Sequence, residues 1–255
     1  MMSPVAAAAA AASTLAARAS FALITYMVLL GSWLGACVPF EVAERMGVLE
    51  RRRLQDPATP DQRRAAFAMC ARAWCFILVA LLLSSPVLAA LFPPDDPAAA
   101  ALPSQWSALV VQLSAAFLVD DCFFYAYHRC LHAVPFLYTR FHKPHHTFTR
   151  PFVWTSHALH PVEIACQSVG TLSGALAAGM SLHTLWLWFA IRQAQGVLDH
   201  AGVDDSLDPI GWLPGVGGTR FHDDHHKLFN GNYASVFSFI DSAFGTRLPA
   251  VKGIT

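Results

Sequence analysis

Five stretches of this 255-residue chain are long and apolar enough to cross or enter a lipid bilayer, at 19–40, 68–92, 106–127, 162–180 and 182–198. A bilayer core is about 30 Å thick and offers no water to backbone or charged groups, so a spanning helix needs about 20 residues almost free of charge. The last two runs are separated only by a short break at Gly179 to Ser181. They read as a hairpin of two short helices that dips into the membrane and returns to the same side. Composition agrees: with 55% hydrophobic and 13% charged residues and a mean hydropathy of +0.42, the chain is too apolar for an ordinary soluble domain. The expected fold is all-α, an integral membrane bundle of about four to five membrane helices including the hairpin. Residues 1–18 read as an alanine-rich lead-in, disordered or loosely helical, because a lone Arg18 does not make the charged start of a cleaved signal. Residues 19–105 then hold the N-terminal membrane helices, and 106–255 the part that carries chemistry.

Charge orients the bundle and removes one class of partner. The loop between the first two runs holds Arg45, Arg51, Arg52, Arg53, Arg63 and Arg64, whereas "PPDDPAAAALPSQ" after the second has no lysine or arginine. By the positive-inside rule the first loop is cytosolic and the second is not, so the third run leaves the membrane into the cytosol at about Tyr127. The 17 basic and 17 acidic residues balance to zero, which leaves no basic field for nucleic acid. Six cysteines form no C-x-x-C pair and sit mostly in apolar runs, where a thiol acts as a small reduced hydrophobe.

All 12 histidines fall between His128 and His226, and by this topology nearly all of them are cytosolic. Three sets stand out: His128 with His132 in "YHRCLH", His142, His145 and His146 in "HKPHH", and His222, His225 and His226 in "HDDHH". Helical positions i, i+3 and i+4 share a face, so each set is expected to aim its rings the same way. Neutral imidazole suits iron, zinc, copper or nickel. Eight rings exceed what one ion can use, so two ions with about four ligands each and an open position is the simpler division. His200, in "LDHAGVDD" at the end of the last apolar run, is placed to join them; His160, in "LHPVE", is balanced between ligand, ligand-supporting and helix-entry roles. His157 reads as polar lining, and His183, at the hairpin tip, as a packing residue.

A ligating imidazole usually gives its other N–H to an acceptor that fixes its tautomer, so nearby carboxylates matter. Asp121 lies seven residues before His128 on the same helical face, inside an apolar run. A cationic or imidazole partner is expected for it, since a lone buried carboxylate is costly. Asp199, Asp204, Asp223 and Asp224 are further candidates.

The segments "DDCFFYAYHRCLH", "FHKPHHTFTRPF", "HPVE", "HTLWLWFAIRQAQGVLDHAG" and "GGTRFHDDHHKLFNGNYASVFSFIDSAFGT" together resemble the fatty acid hydroxylase / sterol desaturase superfamily over about residues 115–248. Within it, the "LWLW" run, "DHAG", "GNYAS" and "FGT" look most like the sterol C4-methyl oxidases. The resemblance implies an endoplasmic-reticulum membrane protein with a cytosolic, histidine-rich di-metal cap, di-iron in function, that uses O2 and electrons from NAD(P)H. Carried over by position, it implies metal ligands at His128, His132, His142, His145, His146, His222, His225 and His226, a further one at His200, and the "HP" histidine at His160. Four residues after His200, where some relatives carry another histidine, stands Asp204, a candidate carboxylate ligand; His157 stands where the C4-methyl oxidases have a glutamate. No appended cytochrome b5-like domain is evident, so a separate carrier, cytochrome b5 or its reductase, is the expected electron donor. The "GNYAS" turn has no ligand role that its residues explain.

What the resemblance implies is oxidation of a membrane lipid, with C4-methyl oxidation of a sterol precursor foremost, beside other sterol C4-demethylation enzymes. An unactivated methyl C–H is beyond any side-chain acid or base, which is why two irons and O2 are called for. A sphingoid-base or fatty-acyl hydroxylase or a sterol C5 desaturase would share the ligand set. A histidine-rich metal transporter is the reading from another class, but it should line a path at mid-membrane with ionisable residues, and the runs before Asp120 have almost none.

Overall fold

The computed structural model describes residues 4–94 and 101–249, with side chains from Leu15 onward. Its fold is all-helical: among the described residues the only β pairing is two isolated bridges. The first helix, α1 (Pro4–Arg45), takes in the alanine-rich lead-in from Pro4 without a break. It is followed by α2 (Pro60–Leu91) and α3 (Trp106–Ala133), and α2 opens on a capping box in which the Thr59 and Gln62 side chains answer each other's backbone N–H. Three segments, Leu15–Arg45, Pro60–Leu91 and Trp106–Ala133, are long and apolar enough to cross a membrane. Their outward surfaces are apolar, with Met27, Val79, Leu83, Val87 and Val111 all exposed. Such a surface is stable only against lipid.

The hairpin is α4 (Pro161–Ala177) and α5 (Leu182–Asp199). At about 1.5 Å per residue each reaches roughly 26 Å, slightly less than a bilayer core. Gly179 turns the chain in the left-handed region, φ 60°, and its carbonyl accepts from the Gln112 side chain. The two legs part company: α4 packs mainly on α3, while α5 packs mainly on α1. Glycines set the α3–α4 approach, since a Cβ at Gly174 would sit 2.6 Å from the Ala116 carbonyl and one at Gly170 2.8 Å from Phe123.

The remaining helices, α6 (Gly218–Leu228) and α7 (Ser238–Ala243), with the helical segment 135–146 between α3 and α4, form a cap at one end of the bundle. The arginine-rich loop joins the same end. Leu54 N–H donates to Gly202 O and Asp204 N–H to Arg52 O, and the Gln55 side chain reaches Asp223. Several loop arginines turn inward, Arg63 onto Glu41 and Glu44 and Arg53 onto Glu44. All six cysteines are free thiols.

Candidate metal centre

Nine histidines from four parts of the chain converge in the cap. α3 supplies His128 and His132, the 135–146 segment supplies His142, His145 and His146, the end of α5 supplies His200, and α6 supplies His222, His225 and His226. They divide into two groups, each with ring nitrogens within 4.8 Å of one another: His128, His132, His142, His146 and His225 in one, and His145, His200, His222 and His226 in the other. Eight of the nine are buried.

The division corrects the expectation that each H-x-x-H-H set aims all its rings one way. His142 and His146 join the five-ring group while His145 goes to the other; His222 and His226 join the four-ring group while His225 goes to the other. Helical angles give the reason. Residues i and i+4 lie about 40° apart around the axis, whereas i+3 and i+4 lie about 100° apart, so a short helix wedged between two centres serves both. Each H-x-x-H-H set therefore bridges the pair of positions.

What fits these groups is decided at the far side of the rings. His128 Nδ1 meets Tyr233 O at 2.7 Å, and His142 Nδ1 meets Glu163 Oε1 at 2.5 Å. A carbonyl can only accept, so His128 Nδ1 carries the proton; opposite an ionised Glu163 the same holds for His142 Nδ1, and both Nε2 atoms then present bare lone pairs. Those two Nε2 atoms lie 3.0 Å apart. Two lone pairs at that distance repel unless a cation lies between or beside them. Nε2 of His142 also lies 2.9 Å from Nε2 of His132 and of His146, and His146 Nε2 lies 3.2 Å from His225 Nε2. In the second group, His200 Nε2 stands 3.1 Å from His222 Nε2, which is 3.1 Å from His226 Nε2. With metal–nitrogen bonds of about 2.1 Å, neighbouring ligands at right angles on one ion are about 3.0 Å apart. The donor set and its spacing fit a pair of metal ions.

Main-chain carbonyls hold other rings in the same tautomer. Gly231 O receives His225 Nδ1 at 2.7 Å, Gly196 O receives His200 Nδ1 at 2.8 Å, and Phe148 O receives His226 Nδ1 at 3.1 Å. The "GNYAS" turn thus acquires a role that its residue types did not reveal, since Gly231 and Tyr233 supply acceptors to two rings. Burial, followed by repulsion from neighbouring imidazoles, pushes His142, His145, His146, His222 and His226 well below the ordinary histidine range. Burial pushes His225 down likewise, and His200 to about 4. At neutral pH these rings are uncharged and their lone pairs are free for a cation.

Three other candidates stay outside both groups. His160 caps α4, its Nδ1 accepting from Val162 N–H, with Glu163 answering the His160 N–H to complete a capping box. Asp204 caps the 3-10 turn Asp205–Leu207 through Ser206 and faces Arg52. Asp121 pairs directly with neither the cation nor the imidazole expected of it, and the Arg192 charge acts on it only at a distance. It accepts backbone N–H bonds from Ser235, Val236 and Phe237, pinning the segment after α6 to α3. Its neighbour Asp120 takes the cation instead, pairing with Arg192 at 2.6 Å. His157 stacks on Trp74 with ring centroids 4.9 Å apart, and His183 is exposed beside Trp186.

Glu163 is the residue that the sequence reading passed over. A signal was present in "HPVE": proline at the first helical position and glutamate at the third mark a helix start whose carboxylate turns back. A cavity of about 50 Å³ lies between the two groups, reached by His128, His142, His145, His200 and His222. Asp199 and Ser235 stand on its wall, hydrogen-bonded to each other at 3.0 Å.

A family and several relatives are found among known proteins. A fatty acid hydroxylase family profile matches residues 113–246, which takes in all nine histidines. Methylsterol monooxygenase 2-2 of Arabidopsis thaliana is 35% identical over 222 residues, covering 82% of this chain and 79% of its own length. Methylsterol monooxygenase 2-1 of the same plant is 32% identical, with coverage of 82% and 81%. The very-long-chain aldehyde decarbonylase GL1-11 of Oryza sativa subsp. indica is 34% identical over 215 residues, covering 82% and 79%. No solved structure matches the chain.

Proposed function

This chain belongs to the fatty acid hydroxylase family, and on that premise we propose that its nine convergent imidazoles hold two iron ions for the O2-dependent oxidation of a sterol 4-methyl group. More broadly it is a membrane enzyme of lipid oxidation. The observation that carries the reading is the His128–His142 pair, in which both Nδ1 protons are committed to acceptors and both Nε2 lone pairs face each other at 3.0 Å. The names of the Arabidopsis relatives support the sterol substrate.

Bound iron would supply the one-electron oxidation of an unactivated C–H bond that side-chain acids and bases cannot perform. Each round turns C–H into C–OH and one O2 into a second oxygen atom carried away as water, with two electrons and two protons from outside. The chain's own residues bind, orient and exclude. Gly196, Tyr233 and Gly231 carbonyls and the Glu163 carboxylate fix the rings before any ion arrives, so little reorganisation accompanies loading. Phe124, Tyr127 and Leu159 line the cavity and keep bulk water from a reactive centre. Asp199 and Ser235, already hydrogen-bonded to each other, give the wall a polar edge beside His200.

The arginine-rich loop and the histidine cap share one end of the bundle, which supports a cytosolic face in the endoplasmic-reticulum membrane. There, cytochrome b5 or its reductase would deliver electrons originating in NAD(P)H. Expression in a yeast strain lacking its own C4-methyl oxidase, followed by sterol analysis, tests the reading. Removal of accumulated 4,4-dimethyl sterols is the expected result. If these persist while hydroxylated sphingoid bases or fatty acids appear, the sterol assignment is wrong. The decarbonylase relative defines one more losing outcome, conversion of a fed very-long-chain aldehyde to a hydrocarbon one carbon shorter with 4-methyl sterols untouched.

A further inference from the structure

We propose that Glu163 makes the two histidine groups unequal, so that the five-ring group binds its ion more tightly and fills first while the four-ring group holds the exchangeable ion. The inference rests on the two-metal reading of the nine rings. It starts from the kind of acceptor behind the five rings whose Nδ1 is held. For His128, His200, His225 and His226 the acceptor at Nδ1 is a main-chain carbonyl; for His142 it is a carboxylate. A carboxylate behind an imidazole raises the basicity of the nitrogen on the other side more than a neutral carbonyl does.

Position multiplies the effect. His142 Nε2 is the hub of the five-ring group, 2.9–3.0 Å from Nε2 of His128, His132 and His146. The His142 and Glu163 side chains are only 3% and 4% exposed, so once Glu163 is ionised its charge is weakly screened from an ion at the hub. The other Glu163 oxygen accepts the His160 N–H, which ties the carboxylate to the first turn of α4 and leaves it little freedom to turn away. The four-ring group has a carboxylate nearby in Asp199, next to His200, but its oxygens are engaged by Gln195 and Ser235 and not by a ring nitrogen. One group thus has five rings and a directed negative charge, and the other has four rings with the neighbouring charge turned aside.

The test is a zinc titration of the full chain, stripped of metal in detergent micelles and set against a competing chelator. Two ions are expected, binding in steps at least about tenfold apart. Glu163→Gln keeps the volume and an acceptor for the His160 N–H but removes the charge; it should weaken the tighter step by about 10–100-fold and leave the weaker one in place. His160→Ala, which removes the capping ring while the main-chain N–H stays, should move neither step. Two equal steps in the native chain, a glutamine variant that weakens both steps alike or neither, or an alanine variant that reproduces the glutamine effect would each overturn the inference. A chain that binds one zinc or none overturns the two-metal reading as well.

Discussion

In α2 only 17% of the most apolar window is buried, and Val79, Leu83 and Val87 point outward; in α6 eight of eleven residues are buried, among them His222, Asp223, Asp224, His225 and His226. The usual rule of apolar inside and polar outside is reversed in both helices. In α2 the solvent is lipid, so exposure of a large aliphatic costs nothing. In α6 Asp223 is held by Gln55, His225 by the Gly231 carbonyl and His226 by the Phe148 carbonyl, while the Nε2 lone pairs face one another, so burial is tolerable only as long as every partner, a cation among them, is present. A helix of the first kind is held by many replaceable contacts. A helix of the second kind is held by few, each specific.

That contrast can be broken most severely at His225, which lies in the five-ring group and is fully buried. His225→Ala should abolish turnover and remove about one equivalent of metal, as element analysis of the purified protein would show; unchanged turnover would remove His225 from the site. Acid should act on the whole cap at once. Rings whose protonation in the fold lies below their ordinary range leave the unfolded chain binding more protons below about pH 6.5, so stability falls as pH drops from there toward the value of about 4 at His200. Melting of the metal-free chain in detergent between pH 7.5 and 5 should therefore shift downward, and a flat or rising profile would contradict neutral buried rings.

A smaller effect is expected at Asp121, which gathers three backbone N–H groups. Asp121→Ala orphans all three, at about 1–3 kcal/mol for each that water does not reach. Chemical unfolding should show that loss together with faster proteolysis of the 235–248 segment. If stability is unchanged, the tie between α3 and that segment has been misjudged. The smallest effect belongs to α2: Leu83 is 78% exposed, and Leu83→Ala should change stability by less than about 0.5 kcal/mol and leave metal content alone. A loss comparable to that at Asp121 would mean that α2 packs against a partner there.

Much of this architecture was legible from residue order. The runs at 19–40 and 106–127 fall within long helices, that at 68–92 ends one residue past another, and the break at Gly179 to Ser181 turns a hairpin. The histidine sets converge because their spacing puts rings on few faces of short helices. Residue order did not reveal how the sets would be shared, since the choice between i+3 and i+4 depends on where a second and third helix stand. Nor did it reveal Asp121's partners, which lie more than a hundred residues away. Asp120 and Asp121 are adjacent and chemically identical, yet one meets Arg192 and the other a row of amides. Only their roughly 100° separation around α3 distinguishes them.

The amino-acid sequence by itself determined the solvent and the ligand type: long uncharged runs require lipid around the helices, and the twelve histidines, confined to residues 128–226, put nearly all of their lone pairs at one end. Tertiary structure alone decided the grouping into five and four and the acceptors behind His128, His142, His200, His225 and His226. Side-chain chemistry is local, whereas hydrogen bonds to Tyr233, Gly231 and Glu163 depend on where the backbone carries those atoms, which is fixed only when α3, α4 and α6 pack together.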